Sequence, residues 1–208
     1  MERLGIGDQF TTCNIDHFYE DDLVAELGTA DLAQVEVDYF KLDDKRKEAL
    51  EGVGPDLSVA EREEYERLKD IRSRAQSMFQ GAIGAFKQQV GEVCQIGSNF
   101  IIDGTASNAS KIIRDKEKYE SMGYECAMIF VDIDVETSVE RNIARGKKGK
   151  RSIANHIIRR QGRGMSKNIA PYSEAFGSNF FLVENRGTLE DYHEAIDSIK
   201  NGVEQFLR

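Results

Sequence analysis

Tryptophan is absent from the 208 residues, proline occurs twice (Pro55 and Pro171), and cysteine three times. So little proline argues against long irregular linkers. Cys13, Cys94 and Cys126 are widely spaced and odd in number. Without CxxC spacing they speak against a disulfide framework or a zinc site, and for buried thiols in a reducing cytoplasm. No apolar run is long enough to span a membrane, and the opening MERLGIGDQF has no signal-peptide pattern. His17, His156 and His193 are scattered without metal spacing. There is no Gly-x-Ser-x-Gly, no Cys–His arrangement, no internal repeat and no low-complexity tract.

What is present is charge, unevenly placed. The formal net charge is −9, with 40% hydrophobic and 31% charged residues, an ordinary balance for one sizeable core with a polar surface. Residues 1–70 hold 20 acids against 8 bases, whereas residues 141–170 hold 10 bases and no acid at all. A segment of that kind attracts polyanions, whether nucleotide phosphates, nucleic acid, or an acidic surface of its own protein.

Periodicity and punctuation predict the elements. FTTCNI (10–15) reads as a short strand and 19–27 as a helix ending at Gly28. KLDDKRKEALEGV reads as a helix broken at Gly52–Pro55. Ser58, with Glu61 three residues on, marks the start of a long helix, or two in succession, ending near Gly97. Strands follow at 99–103, 125–134 and 179–185, and helices at 111–123, 136–146, 152–164, 170–177 and 188–207, with a basic turn at 147–151. Strands alternating with helices predict an α/β fold, a parallel sheet flanked by helices. In such sheets ligands sit beyond the C-terminal strand ends. Asp16, Asp103, Asp132 or Asp134, and Asn185 fall at such ends.

Several of these residues are candidates for chemistry. Asp103 closes the apolar run Phe100–Ile102, a position suited to a magnesium ion beside a triphosphate, with Thr105 and Asn108 adding polar contacts. The alternative is a strand-end turn with Asx-type capping. Asp16 in CNIDHFYE is placed to accept a proton from an attacking hydroxyl, or to cap a helix. Arg141 and Arg145 share one helix face and, with Arg151, form a basic arm able to stabilise charge on transferring phosphoryl oxygens. The alternative is an exposed basic helix and loop, but a merely solvated face usually mixes signs.

Taken in order, these pieces resemble the P-loop kinase group that includes zeta toxins and the polynucleotide kinases of tailed phages. CNIDHF resembles the segment holding that group's catalytic aspartate, at Asp16. FIIDGTASNASK resembles its second aspartate strand, at Asp103, Thr105 and Asn108. ETSVERNIARG resembles its lid helix, at Arg141, Asn142, Arg145 and Gly146; KRSIANHIIRR resembles the lid's return, at Arg151; FFLVENRG resembles a late strand ending at Asn185. The resemblance implies one P-loop NTPase-like domain over 1–208, with a charged helical insertion or cap at 40–98 and a basic lid at 141–170. It implies γ-phosphoryl transfer from ATP or GTP, with Mg²⁺ at Asp103, to a hydroxyl of a polynucleotide 5′ end or a small molecule. Asp16, Arg141, Arg145 and Arg151 would be catalytic; Asp103, Thr105, Asn108 and Asn185 would contact the nucleotide.

The chain departs from that group in one large respect. It has no G-x-x-x-x-G-K-[ST], the loop whose backbone N–H groups and lysine cradle phosphates. The nearest look-alike, GKKGKRS at 146–152, has the wrong spacing and lies in the lid. MERLGIGDQF resembles the end of the helix that follows the loop, so the expectation is a sequence that starts late. The first strand, expected between 99–103 and 127–131, and the phosphate loop are then missing. The 208 residues alone are expected to have little or no kinase activity. Two other functions stay open: a degenerate kinase fold serving as an interaction module, and a nucleic-acid-binding module using the basic segment.

Overall fold

In a computed structural model, the structure describes Leu4, residues 9–185 and residues 189–208. The resemblance drawn on MERLGIGDQF and on Arg186–Gly187 therefore falls largely outside the described residues. The elements run β1 (Thr11–Asn14), α1 (Glu20–Leu27), α2 (Leu32–Leu50), α3 (Val59–Ile96), β2 (Phe100–Asp103), α4 (Ala109–Ser121), β3 (Met128–Asp132), α5 (Val135–Lys147), α6 (Asn155–Met165), α7 (Ile169–Phe176), β4 (Phe180–Glu184) and α8 (Leu189–Phe206). No helix among the described residues is long and apolar enough to cross a membrane.

The punctuation read from the sequence operates as expected. Ser58 and Glu61 form a reciprocal capping box, and the helix they open runs unbroken for 38 residues to Gly97, whose left-handed φ of 68° ends it. Gly28 closes α1 in the same way. Helix α2 begins earlier than periodicity indicated, because Asp31 caps it by accepting from the Gln34 N–H at 3.2 Å.

Among the described residues the expected single parallel sheet is not formed. β1 pairs with β2, β3 pairs with β4, and each sheet has two strands. β3 and β4 are parallel, in register from Met128 opposite Phe180 to Asp132 opposite Glu184. The sequence placed β2 and β3 in a sheet interior; instead each is hydrogen-bonded on one side only among the described residues. Ile102 and Val131 are accordingly exposed, as strand residues without a second neighbour are.

The chain divides into two compact units. One comprises residues 12–103 and 140–157. Its core packs Tyr19, Leu23 and Leu27 with Leu68 and Ile71 of α3. Helices α2 and α3 form a hairpin in which Tyr39 stacks on Tyr65 with centroids 5.1 Å apart, and the Arg72 guanidinium lies 4.0 Å over the Tyr39 ring. The other unit comprises the described residues up to Thr11 and those of 104–139 and 158–208. Its core is built on Phe130 of β3 with Tyr172 and Phe176 of α7, and α8 covers β4. The three cysteines are free, and burial pushes the Cys13 thiol up.

Candidate phosphoryl-transfer site

Asn14 and Asp16 at the end of β1, Asp103 at the end of β2, and Arg151 build the centre of the site in the 12–103/140–157 unit. Asn14 ends the strand, and its side-chain oxygen accepts from the Asp16 N–H at 2.8 Å, turning the chain into a 3₁₀ turn over Ile15–Phe18. Asp16 therefore does not cap a helix; Asn14 performs the capping and leaves the Asp16 carboxylate available. The other end of the Asn14 amide donates to Asp103 Oδ2 at 2.7 Å, because β1 and β2 are neighbours and both end here. Asn14 thus links the two aspartates singled out by the sequence. It was missed as a site residue, although its position two residues before Asp16 at a strand end was the available signal.

The basic segment reaches the same place. Arg151 Nη1 donates to Asp16 Oδ1 at 2.7 Å across 135 residues of sequence. The pair is partly withdrawn from water, the side chains being 15% and 31% exposed respectively, so the attraction is less screened than in a surface pair. The Arg151 guanidinium also lies 5.2 Å from the centroid of the buried Tyr19 ring. Burial raises the Tyr19 hydroxyl pKa, with Arg151 opposing. The Arg151 Nε is buried without a hydrogen-bond partner, leaving one donor of the guanidinium uncommitted. Arg145, in the last turn of α5, donates to Glu20 Oε1 at 2.8 Å. Arg141 lies exposed on the same helix, four residues before Arg145.

The remaining predicted residues belong to the other compact unit. Thr105 shares a hydrogen bond with Ser107 at 3.4 Å. Asn108 caps α4, its side chain accepting from the Lys111 N–H at 3.0 Å. Asn185 follows β4, and its N–H donates to the Asp132 carbonyl at 2.8 Å. Between them Ala106 takes a left-handed φ of 49°, and its carbonyl accepts from the Tyr172 hydroxyl at 2.8 Å. That unusual backbone is held by α7, and no local sequence signal marks it.

For a metal, no cluster of three His, Cys, Asp or Glu exists among the described residues. Asp103 is exposed and spends one oxygen on Asn14. Its other oxygen suits Mg²⁺, which commonly takes one or two carboxylates and completes its shell with phosphate oxygens and water. The described site thus offers a carboxylate beside a strand end, a second carboxylate paired with arginine, and two arginines, Arg145 and Arg151, each paired with an acid.

The sequence model of the zeta toxin family matches residues 62–197 of the chain. The match includes Asp103, Thr105, Asn108, Arg141, Arg145, Arg151 and Asn185, and stops short of Asp16. No curated protein and no solved structure matches.

Proposed function

We infer, since this chain belongs to the zeta toxin family, that its site is built for transfer of the γ-phosphoryl group of ATP or GTP to a hydroxyl. The family is kinase-like and nucleotide-binding. The proposed acceptor is either a polynucleotide 5′ end or a small hydroxyl compound. Asp16 takes the proton of the attacking hydroxyl. Asp103 supports Mg²⁺, whose bound charge offsets that of the phosphates. Arg145, Arg151 and Arg141 close over the transferring group; the assignment of Thr105, Asn108 and Asn185 to the nucleotide rests on the family resemblance alone.

The observation that carries this reading is the pair between Arg151 and Asp16. A residue of the acid-free segment meets the one aspartate that strand-end placement nominated as a base. In the absence of nucleotide each neutralises the other. A triphosphate offers Arg151 a stronger, multiply charged partner, and its binding releases the Asp16 carboxylate for the acceptor proton. Phosphates come before acceptor in that scheme.

The 208 residues hold no G-x-x-x-x-G-K-[ST], so the grip on the phosphates rests on the arginines and Mg²⁺, and affinity is weak. The test is thermal melting with millimolar magnesium–ATP, since a ligand that binds only the folded state raises its stability. The expected result is a magnesium-dependent rise in Tm that Arg151→Gln removes. No rise at saturating nucleotide would favour the second reading, a kinase fold used as an interaction module.

A further inference from the structure

The segment that carries Arg151 is fastened by groups to which the phosphoryl-transfer reading gives no role. Ser152 is 1% exposed. Its N–H donates to the Ala30 carbonyl at 3.0 Å. Its hydroxyl donates to Asp31 Oδ1 at 2.5 Å and accepts from the Ala33 N–H at 3.3 Å. Asp31 and Ser152 form a parallel bridge. The next residue, Ile153, is held from the opposite direction by Asn142 of α5, which donates to its carbonyl at 2.8 Å and accepts from its N–H at 2.9 Å.

Asp31 is the fixed point of this arrangement. Its carboxylate accepts from Gln34 N–H at the start of α2, and its own N–H donates to Thr29 Oγ1 at 3.0 Å. It also packs against Gly146, where an added Cβ would fall 2.8 Å from Asp31 Oδ1 and 2.9 Å from Cγ. A carboxylate held by a helix cap and a serine has little freedom to retreat. In extended chain, side chains alternate in direction, so burying Ser152 against Asp31 turns its neighbour Arg151 the other way. A slip of one residue would bury the arginine's position and present serine in its place.

We propose that Asp31 is a positioning residue that, through Ser152 and against Gly146, sets Arg151 onto Asp16. Asp31 lies outside the residues matched to the family. The importance of the pair for phosphoryl transfer rests on the function proposed above; the latch itself does not. It explains why Gly146 is glycine inside a helix, at a φ that any residue adopts: the space belongs to Asp31.

The experiment reads Arg151 directly. The full chain is treated with an arginine-selective dicarbonyl, phenylglyoxal, well below Tm, and modification of each arginine is followed by peptide mass spectrometry. Arg159, paired with Glu136 at 2.7 Å, serves as the internal reference. Gly146→Ala is the sharpest variant, because alanine ordinarily improves a helix and removes no group of the latch. Arg151 is expected to react several-fold faster in Gly146→Ala, Ser152→Ala and Asp31→Ala, approaching its rate in Asp16→Asn, with Arg159 unchanged. Asp31→Asn keeps an acceptor and a helix cap, and should restore protection. Should Gly146→Ala not fold, Ser152→Ala decides. Wild-type protection of Arg151 in folded Ser152→Ala, or an Asp31→Asn as reactive as Asp31→Ala, would overturn the proposal. Release of Arg151 in these variants, with no magnesium–ATP effect on wild-type Tm, would leave the latch standing and remove the kinase reading.

Discussion

Glu61 shows how one carboxylate ties stability to pH. The Lys45 ammonium donates to it at 2.7 Å, and the Ser58 N–H donates to its other oxygen at 2.8 Å. Together they hold its pKa at about 2, against an ordinary 4.5. A carboxyl whose pKa falls on folding binds its proton more readily in the unfolded chain. Its contribution is therefore complete above 4.5 and is lost as pH falls toward 2. Glu61→Gln is expected to lower Tm at neutral pH, and the variant and wild-type melting curves should converge near pH 2. Melting followed by circular dichroism across that range checks it; curves that stay parallel would count against the assignment. Asp43 works in the same direction: Lys47 first, then the Tyr65 hydroxyl and Arg46, hold its buried carboxyl below the usual range. At this scale the sequence was partly legible. Ser58 and Glu61 were paired by spacing alone, because a capping box is local. Lys45, on another helix 16 residues away, was not foreseeable.

Helix α3 was legible at both ends, where its cap and Gly97 lie, but spacing left open one helix or two between them; the structure has one, Val59–Ile96. Helix α2 was legible only in its second half. Val35, Val37, Tyr39 and Phe40 are poor helix formers, and what holds them helical is tertiary: Tyr39 stacks on Tyr65 and lies under Arg72. Helix α8 offers a test of packing between elements. A Cβ at Gly202 would fall 2.6 Å from Phe181 Cε1 on β4, and that ring is buried at the sheet. Gly202→Ala gains up to about 1 kcal/mol of helix preference but overpacks the interface, at a cost of about 1–3 kcal/mol. A net loss of about 1 kcal/mol is expected by urea titration; a gain would mean that α8 shifts freely over β4.

At the scale of the molecule, the acid-free run 141–170 is less naked than its composition implied. Arg145, Arg151 and Arg159 are paired with Glu20, Asp16 and Glu136, acids drawn from elsewhere in the chain. Lys147, Lys148 and Lys150 stay exposed at the turn between α5 and α6. The 208-residue chain is expected to give no detectable phosphoryl transfer from magnesium–ATP to a 5′-hydroxyl oligonucleotide or a nucleotide sugar; turnover abolished by Asp16→Asn would refute that expectation. What could be read without coordinates was whatever neighbours within a few residues settle: caps, glycine stops, alternating strands and helices, aspartates at strand ends and the basic run. Those depend on local propensity and spacing, which a linear text contains. Folding alone settled that the described strands pair as two sheets of two, that Asn14 joins Asp16 to Asp103, and that Ser152 meets Asp31 while Arg151 meets Asp16. No local energy couples residues 89 to 135 positions apart; only packing brings them within hydrogen-bonding distance.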